Sequence, residues 1–347
     1  DGIAKDSKEA VKWYRLAAEQ GYATAQYNLG ICYEHGTGVV KDLKEAVKWY
    51  RLAAEQGDTE AQYNLGNFCF NGDGVAKDVK EAVKWFRQAA EQGLAAAQYN
   101  LGICYDNGSG VDKDLKEAVK WFRQAAEKGY AAAQYNLGVC YANGDGVDKD
   151  PGAAVKWYRR ATEQGYAAAQ YNLGYSYFNG DGIAKDSKEA VKWYRLAAEQ
   201  GNAAAQLNLG NSYFNGDGVT KDPKEAVKWY RPAAEQGDPA AQYNLGVCYY
   251  HGTGVDKDLK EAVKWYRLAA EQGFAAAQCA LGMCYANGSG VVESAREAYA
   301  WLVLAAAGGC DTGDGLKLTI KGQMSKEEIE AAHAWARERF EAESASK

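Results

Sequence analysis

Apolar residues recur along this chain in two alternating helical rhythms. The first is clearest at residues 41–57. Ala46, Trp49, Tyr50, Ala53 and Ala54 fall at i, i+3, i+4, i+7 and i+8, one stripe on a helix of period 3.6. Asp42 precedes the stripe, and Glu45 follows it by three residues. At that spacing the aspartate accepts from free backbone N–H groups and the glutamate reaches back to the cap. Gly57 closes the helix as a left-handed residue past its end. This segment, helix B, spans about 14 residues and roughly 21 Å. The second rhythm lies just upstream of each helix B. In Ala131–Tyr141, residues Ala133, Leu137 and Tyr141 sit at i, i+4 and i+8, which defines helix A. Gly138 interrupts it, at a usual cost of about 1 kcal/mol against alanine. The expected reason is close approach of a neighbouring helix beneath a tryptophan. The A–B connection, Asn143–Asp150, carries glycines where the chain needs positive φ.

The pair repeats without insertion. Trp13, Trp49, Trp85, Trp121, Trp157, Trp193, Trp229, Trp265 and Trp301 are 36 residues apart at every step, the mark of a stacked-repeat architecture. The capping aspartate recurs at Asp6, Asp78, Asp114, Asp186, Asp222 and Asp258, and Ser294 with Glu297 replaces it in the last copy. Residues 1–21 read as an orphan helix B of a truncated repeat, 22–309 as eight helix hairpins, and 310–347 as a glycine-rich bend followed by a capping helix from Lys326 to about Glu343. Residues 1–21 repeat 181–201 identically and begin in the middle of an A–B loop, so the natural chain is expected to extend upstream. Pro232 lies inside a helix B and is expected to bend or break it.

The pattern A-x-x-x-L-G-x-x-Y-x-x-G-x-G-V-x-x-D-x-x-x-A-x-x-W-Y-x-x-A-A-x-x-G resembles the Sel-one-like repeat (SLR), a relative of the tetratricopeptide repeat. It reads here as Ala133, Leu137, Gly138, Tyr141, Gly144, Gly146, Val147, Asp150, Ala154, Trp157, Tyr158, Ala161 and Gly165, with Thr162 for the second alanine. The resemblance covers residues 1 to about 309. It implies an all-α fold, a right-handed α-solenoid of antiparallel helix pairs, acting as a protein-interaction scaffold.

Composition narrows the partners. The net charge of −6 is spread as mixed signs within each repeat, and no basic block forms, so nucleic acid is not an expected partner. No transmembrane run or signal peptide is visible. Five of the eight cysteines (Cys32, Cys104, Cys140, Cys248, Cys284) occupy one helix-A slot, one per repeat, and read as small buried thiols. Some secreted SLR relatives carry two per repeat and staple each hairpin, and this chain departs from them. Unpaired thiols favour the cytoplasm, with a periplasmic or secreted location left open.

Comparison among the copies separates scaffold from surface. Three helix-A slots vary most. One holds Ile31, Asn67, Ile103, Val139, Tyr175, Asn211, Val247 and Met283. Another holds Glu34, Phe70, Asp106, Ala142, Phe178, Phe214, Tyr250 and Ala286. The third opens the helix with Tyr22, Asp58, Leu94, Tyr130, Tyr166, Asn202, Asp238 and Phe274. By analogy with tetratricopeptide geometry, helix A lines a concave groove. The first two slots then face it, together with Tyr27, Tyr63, Tyr99, Tyr135, Tyr171 and Tyr243. Beside them runs a ladder of Asn28, Asn64, Asn100, Asn136, Asn172, Asn208 and Asn244. An amide donates and accepts, so the ladder either pairs with the backbone of a bound extended peptide or ties adjacent A helices together. The aromatics Phe178, Phe214 and Tyr250, read as exposed, favour binding and make repeats five to seven the expected contact region.

Enzyme chemistry finds no footing. His35, His251 and His333 are far apart, and His35 and His251 stand where other copies place a turn asparagine. No metalloprotease, nucleophile-elbow or phosphate-loop motif occurs. Some cysteine-rich SLR relatives are linked to penicillin binding, but the sole S-x-x-K is Ser344 to Lys347 in the tail. The Asn-Gly-Asp-Gly loops lack the bidentate glutamate of a calcium loop. No cofactor or metal is expected. The reading is a non-enzymatic scaffold that binds a protein or extended peptide. The alternative is a structural or self-assembling module, even an engineered or consensus-like array, associating through the uncapped N-terminal helix.

Overall fold

The computed structural model describes residues 2–345, and no strand occurs among them. Two compact units divide the chain. Residues 1–169 hold α1 (Gly2–Glu19), α2 (Ala23–His35), α3 (Leu43–Glu55), α4 (Thr59–Asn71), α5 (Val79–Glu91), α6 (Ala95–Asn107), α7 (Leu115–Glu127), α8 (Ala131–Asn143) and α9 (Pro151–Glu163). Residues 170–347 hold most of α10 (Ala167–Asn179), then α11 (Ser187–Glu199), α12 (Ala203–Asn215), α13 (Pro223–Glu235), α14 (Pro239–His251), α15 (Leu259–Glu271), α16 (Ala275–Asn287) and α17 (Ala295–Ala307). A 3-10 turn (Asp311–Gly313), α18 (Asp314–Lys321) and α19 (Lys326–Ala345) follow. Within each unit successive helices pack on one another as an α-solenoid.

Each repeat is cut to length by the same two end signals. Asp42 accepts from the Lys44 and Glu45 N–H groups, and α3 begins. At its other end, Gly57 (φ 91°) sends its N–H to Ala54 O, and Asp58 N–H reaches Ala53 O. Those two bonds are a Schellman ending, and the left-handed residue it requires costs least as glycine. The A–B loop docks on the preceding helix B. A Cβ on Gly74 would lie 2.5 Å from the Leu43 carbonyl, so the loop fits only without one.

The core is a row of nested hairpins. The helix-A leucines, Leu29 to Leu245, and helix-B alanines such as Ala46, Ala53 and Ala54 are fully buried. The mid-helix glycine admits a ring, as expected, but not the tryptophan's. A Cβ at Gly138 would meet Tyr158 Cε1 at 2.6 Å, and at Gly66 it would meet Phe86 Cε1 at 2.6 Å. The partner is the aromatic residue that follows the tryptophan. The tryptophan instead packs towards the preceding helix B and its own helix A, where Trp49 lies among Val11 and Ala18 of α1 and Ala25, Leu29 and Cys32 of α2.

Three further expectations are corrected. α1 starts at Gly2, so Asp6 lies inside a helix rather than capping one. In the other copies that aspartate's N–H donates to the preceding helix A, as Asp42 does to Tyr33 O. α13 runs unbroken through Pro232 with the same 13 residues as its siblings, held by packing on both sides. α18 occupies what reads as part of a bend. It and α19 lie against α17, where Trp335 meets Trp301 edge-on at 5.0 Å and Arg339 sits over both rings. The expected Ser325–Glu328 capping box forms in both directions, at 3.2 and 2.9 Å.

Candidate functional site on the helix-A face

Two side-chain ladders hold the A helices in place. The first is made of buried glutamines. Gln26 Nε2 donates to Ala18 O of the preceding helix B (3.1 Å), and Gln56 Nε2, at the end of the following helix B, donates to Gln26 Oε1 (2.7 Å). Gln62 with Gln92, Gln134 with Gln164, Gln206 with Gln236 and Gln242 with Gln272 repeat the pattern. At Lys128 the ladder breaks, and Gln98 Oε1 is left buried without a partner. The second ladder joins a helix-B arginine to the next helix-A tyrosine hydroxyl, as in Arg87–Tyr105 (2.7 Å) and Arg231–Tyr249 (2.7 Å). In the second repeat Cys69 stands in the tyrosine's place, and Arg51 pairs with Glu81 at 2.5 Å instead. That guanidinium holds the Glu81 carboxyl below its ordinary range.

The variable slots now acquire distinct jobs. The slot that opens helix A is its N-cap. Asp58, Asn202 and Asp238 accept from the Ala61, Ala205 and Ala241 N–H groups. Tyr130, Tyr166 and Phe274 instead stack on Tyr99, Tyr135 and Tyr243 of the preceding repeat, at 5.2, 5.4 and 5.6 Å. The tyrosine row lies half-buried on the helix-B rings. Tyr27 meets Tyr50 at 5.8 Å, Tyr63 meets Phe86 at 6.1 Å and Tyr171 meets Tyr194 at 6.0 Å. Burial pushes the Tyr50 hydroxyl well above its ordinary value, and its hydrogen bond to Glu34 adds to that.

The asparagines are half-buried, and several already have partners. Asn64 lies against the Tyr27 and Tyr50 hydroxyls, Asn136 against that of Tyr99, and Asn208 against that of Tyr194. Asn100 Nδ2 donates to Asn67 Oδ1, and Asn244 Nδ2 to Asn211 Oδ1, both at 3.1 Å. The aromatics read as exposed are half-buried too. Phe70, Phe178, Phe214 and Tyr250 rest on Phe86, Tyr194, Tyr230 and Tyr266 at 6.4–6.5 Å, beneath Lys77, Lys185, Lys221 and Lys257. Tyr175 differs from the other candidates, with 47% of its surface exposed.

Tyr175 walls a pocket of about 240 Å³ between the fifth and sixth repeats. Phe178 and the buried Tyr194 form its apolar side. Asn179, Asn208, Asn211, Ser212, Asn215 and Asp217 supply the polar side. Four of the sequence-derived candidates (Tyr175, Phe178, Asn208 and Asn211) therefore converge there.

Other chemistry is sparse. His35 and His251 are the last residues of α2 and α14, and the left-handed conformation belongs to the glycine after each. His333 Nε2 meets the Tyr299 hydroxyl at 3.1 Å. All eight thiols are free, and seven are buried. Burial raises those of Cys104 and Cys248 to about 11, against the reactive thiolate. Among the described residues no cluster of His, Cys, Asp or Glu could hold a metal, and no helix is long and apolar enough to cross a membrane. The Ser344-x-x-Lys347 spacing ends outside the described residues.

The geometry has counterparts among solved structures. A Sel1 repeat protein from Oxalobacter formigenes is 36% identical, over 89% of this chain and 89% of that one, with a TM-score of 0.67. The protective antigen c5321 of uropathogenic Escherichia coli, which displays an SLR fold, is 33% identical over 95% of this chain and 86% of that one, at 0.53. No curated protein sequence matches the chain. The Sel1 repeat profile matches nine consecutive segments, from residues 1–22 through 275–310. Proteins of this kind are generally interaction scaffolds rather than enzymes. On its repeats and its fold alike, the chain belongs to the Sel1 repeat family.

Proposed function

We propose that this chain is a non-enzymatic scaffold that binds an extended segment of a partner protein along the helix-A face of repeats five to seven. The observation that carries this reading is the Tyr175 pocket. It is where the candidate face offers an exposed aromatic beside unburied amide capacity, rather than rings already covered by lysines. Backbone groups of an extended segment pair with amides such as Asn211 and Asn215, and one side chain enters the pocket. The test is a random peptide library selected on the intact chain, with the enriched peptides then measured against Tyr175→Ala. Because Tyr175 is half in solvent, its removal leaves the fold intact. Loss of binding in that variant supports the reading, and undiminished binding of every enriched peptide overturns it. A second reading, self-association, has its own observation: Trp13 and Tyr22 are 64% and 63% exposed at the N-terminal end.

A further inference from the structure

The pocket's lining restricts what side chain it accepts. Its one formal charge is Asp217. That carboxylate takes a hydrogen bond from Asn215 Nδ2 at 3.3 Å on one oxygen, which leaves acceptor capacity on the other and on the Asn215 carbonyl. Asn211 has its oxygen engaged by Tyr230 Oη (2.8 Å) and Asn244, so it offers donors only. Of the three ring walls, Tyr194 is buried and Phe178 already carries the Lys185 ammonium, 5.5 Å from its centroid. Tyr175 has a tilted neighbour in Tyr171 at 6.5 Å and an open face. The site therefore lines one recess with an acceptor pair and an unclaimed aromatic plane.

We propose that this pocket is an arginine-binding site, and that the partner segment inserts an arginine side chain into it. The proposal rests on the peptide-binding reading given above. A guanidinium is planar, so it stacks on Tyr175 while its forked N–H groups reach Asp217 and Asn215. A lysine ammonium is a compact, strongly hydrated charge that cannot lie flat on the ring and fork at once. A carboxylate meets repulsion from Asp217. An aliphatic side chain leaves the rim acceptors unpaired. The third repeat shows what the pocket depends on. Its equivalents of Tyr175 and Phe178 are Ile103 and Asp106, which supply no aromatic wall.

The experiment uses the whole chain and three short capped peptides, acetyl-Gly-Ser-X-Ser-Gly-amide, with X as arginine, lysine or the neutral isostere citrulline. Binding is read by titration calorimetry and by the side-chain amide signals of asparagine-labelled protein. The arginine peptide is expected to bind tightest, with citrulline weaker by about tenfold and lysine by about fivefold. It should shift the Asn211 and Asn215 signals. Asp217→Asn and Tyr175→Ala should each weaken it by about fivefold with an unchanged melting temperature. Equal binding of the three peptides overturns the assignment, as do unmoved Asn215 signals or an Asp217→Asn variant that binds normally. Library peptides that need Tyr175 but contain no arginine overturn it too, while the scaffold reading stands. A library that yields no Tyr175-dependent peptide removes both.

Discussion

Gly138 shows how one missing methyl group decides a repeat. Alanine is the better helix former by about 1 kcal/mol. Yet a Cβ here would press on the Tyr158 ring at 2.6 Å, and that ring is buried and cannot retreat. Overpacking of this kind costs about 1–3 kcal/mol, so the clash outweighs the propensity. Gly138→Ala is expected to lower the denaturant midpoint. Gly315 in α18 has nothing within 4 Å of its Cβ position, so Gly315→Ala should raise it slightly or leave it unchanged. If both variants moved in the same direction, the account of close approach would be wrong. The sequence pointed to a tight approach but to the wrong ring. A 36-residue period marks Trp157 and Tyr158 equally, and which of two adjacent residues faces which neighbour depends on helix rotation, which the period does not encode.

Between elements, the glutamine ladder carries the specificity of docking. Each rung closes a buried amide and a helix-end carbonyl at once. At Lys128 the rung is missing, its amine bonding Gly93 O instead, and Gln98 Oε1 stays buried and unpaired. An orphaned buried acceptor costs about 1–3 kcal/mol. Lys128→Gln is therefore expected to stabilise the chain by about 1 kcal/mol, seen as a higher urea midpoint, and a lower midpoint would refute the rung's importance. Helix ends were legible from Asp-x-x-Glu and the closing glycine because those signals are local. The glutamines were not recognised. Gln26 and its copies are invariant, but a polar residue beside Tyr-Asn reads as surface until its burial is known. α18 was missed because Gly315, Thr319 and Ile320 all disfavour a helix, and packing on α17 overrides them. Pro232 failed to break α13 for the same kind of reason.

For the whole molecule, the two ends differ. At the C-terminal end α18 and α19 cover α17, and Trp301 is 1% exposed. At the other end Trp13, with the same place in the period, stands 64% exposed beside Leu16. The self-association reading proposed above rests on this exposed ring. Light scattering on the eluting chain should show a concentration-dependent dimer, and Trp13→Arg should abolish it. A monomer at all concentrations would leave the N-terminal face without this role.

The constant hairpin length has one more consequence. On the peptide-binding reading proposed above, a strand laid across the A helices would meet equivalent positions at regular intervals, and a slide by one hairpin would offer it similar neighbours. Such a surface measures distance without an origin. On that same proposed reading, the recess walled by Tyr175 would supply that origin, because a side chain accepted only there would fix which residue of the guest lies over which hairpin.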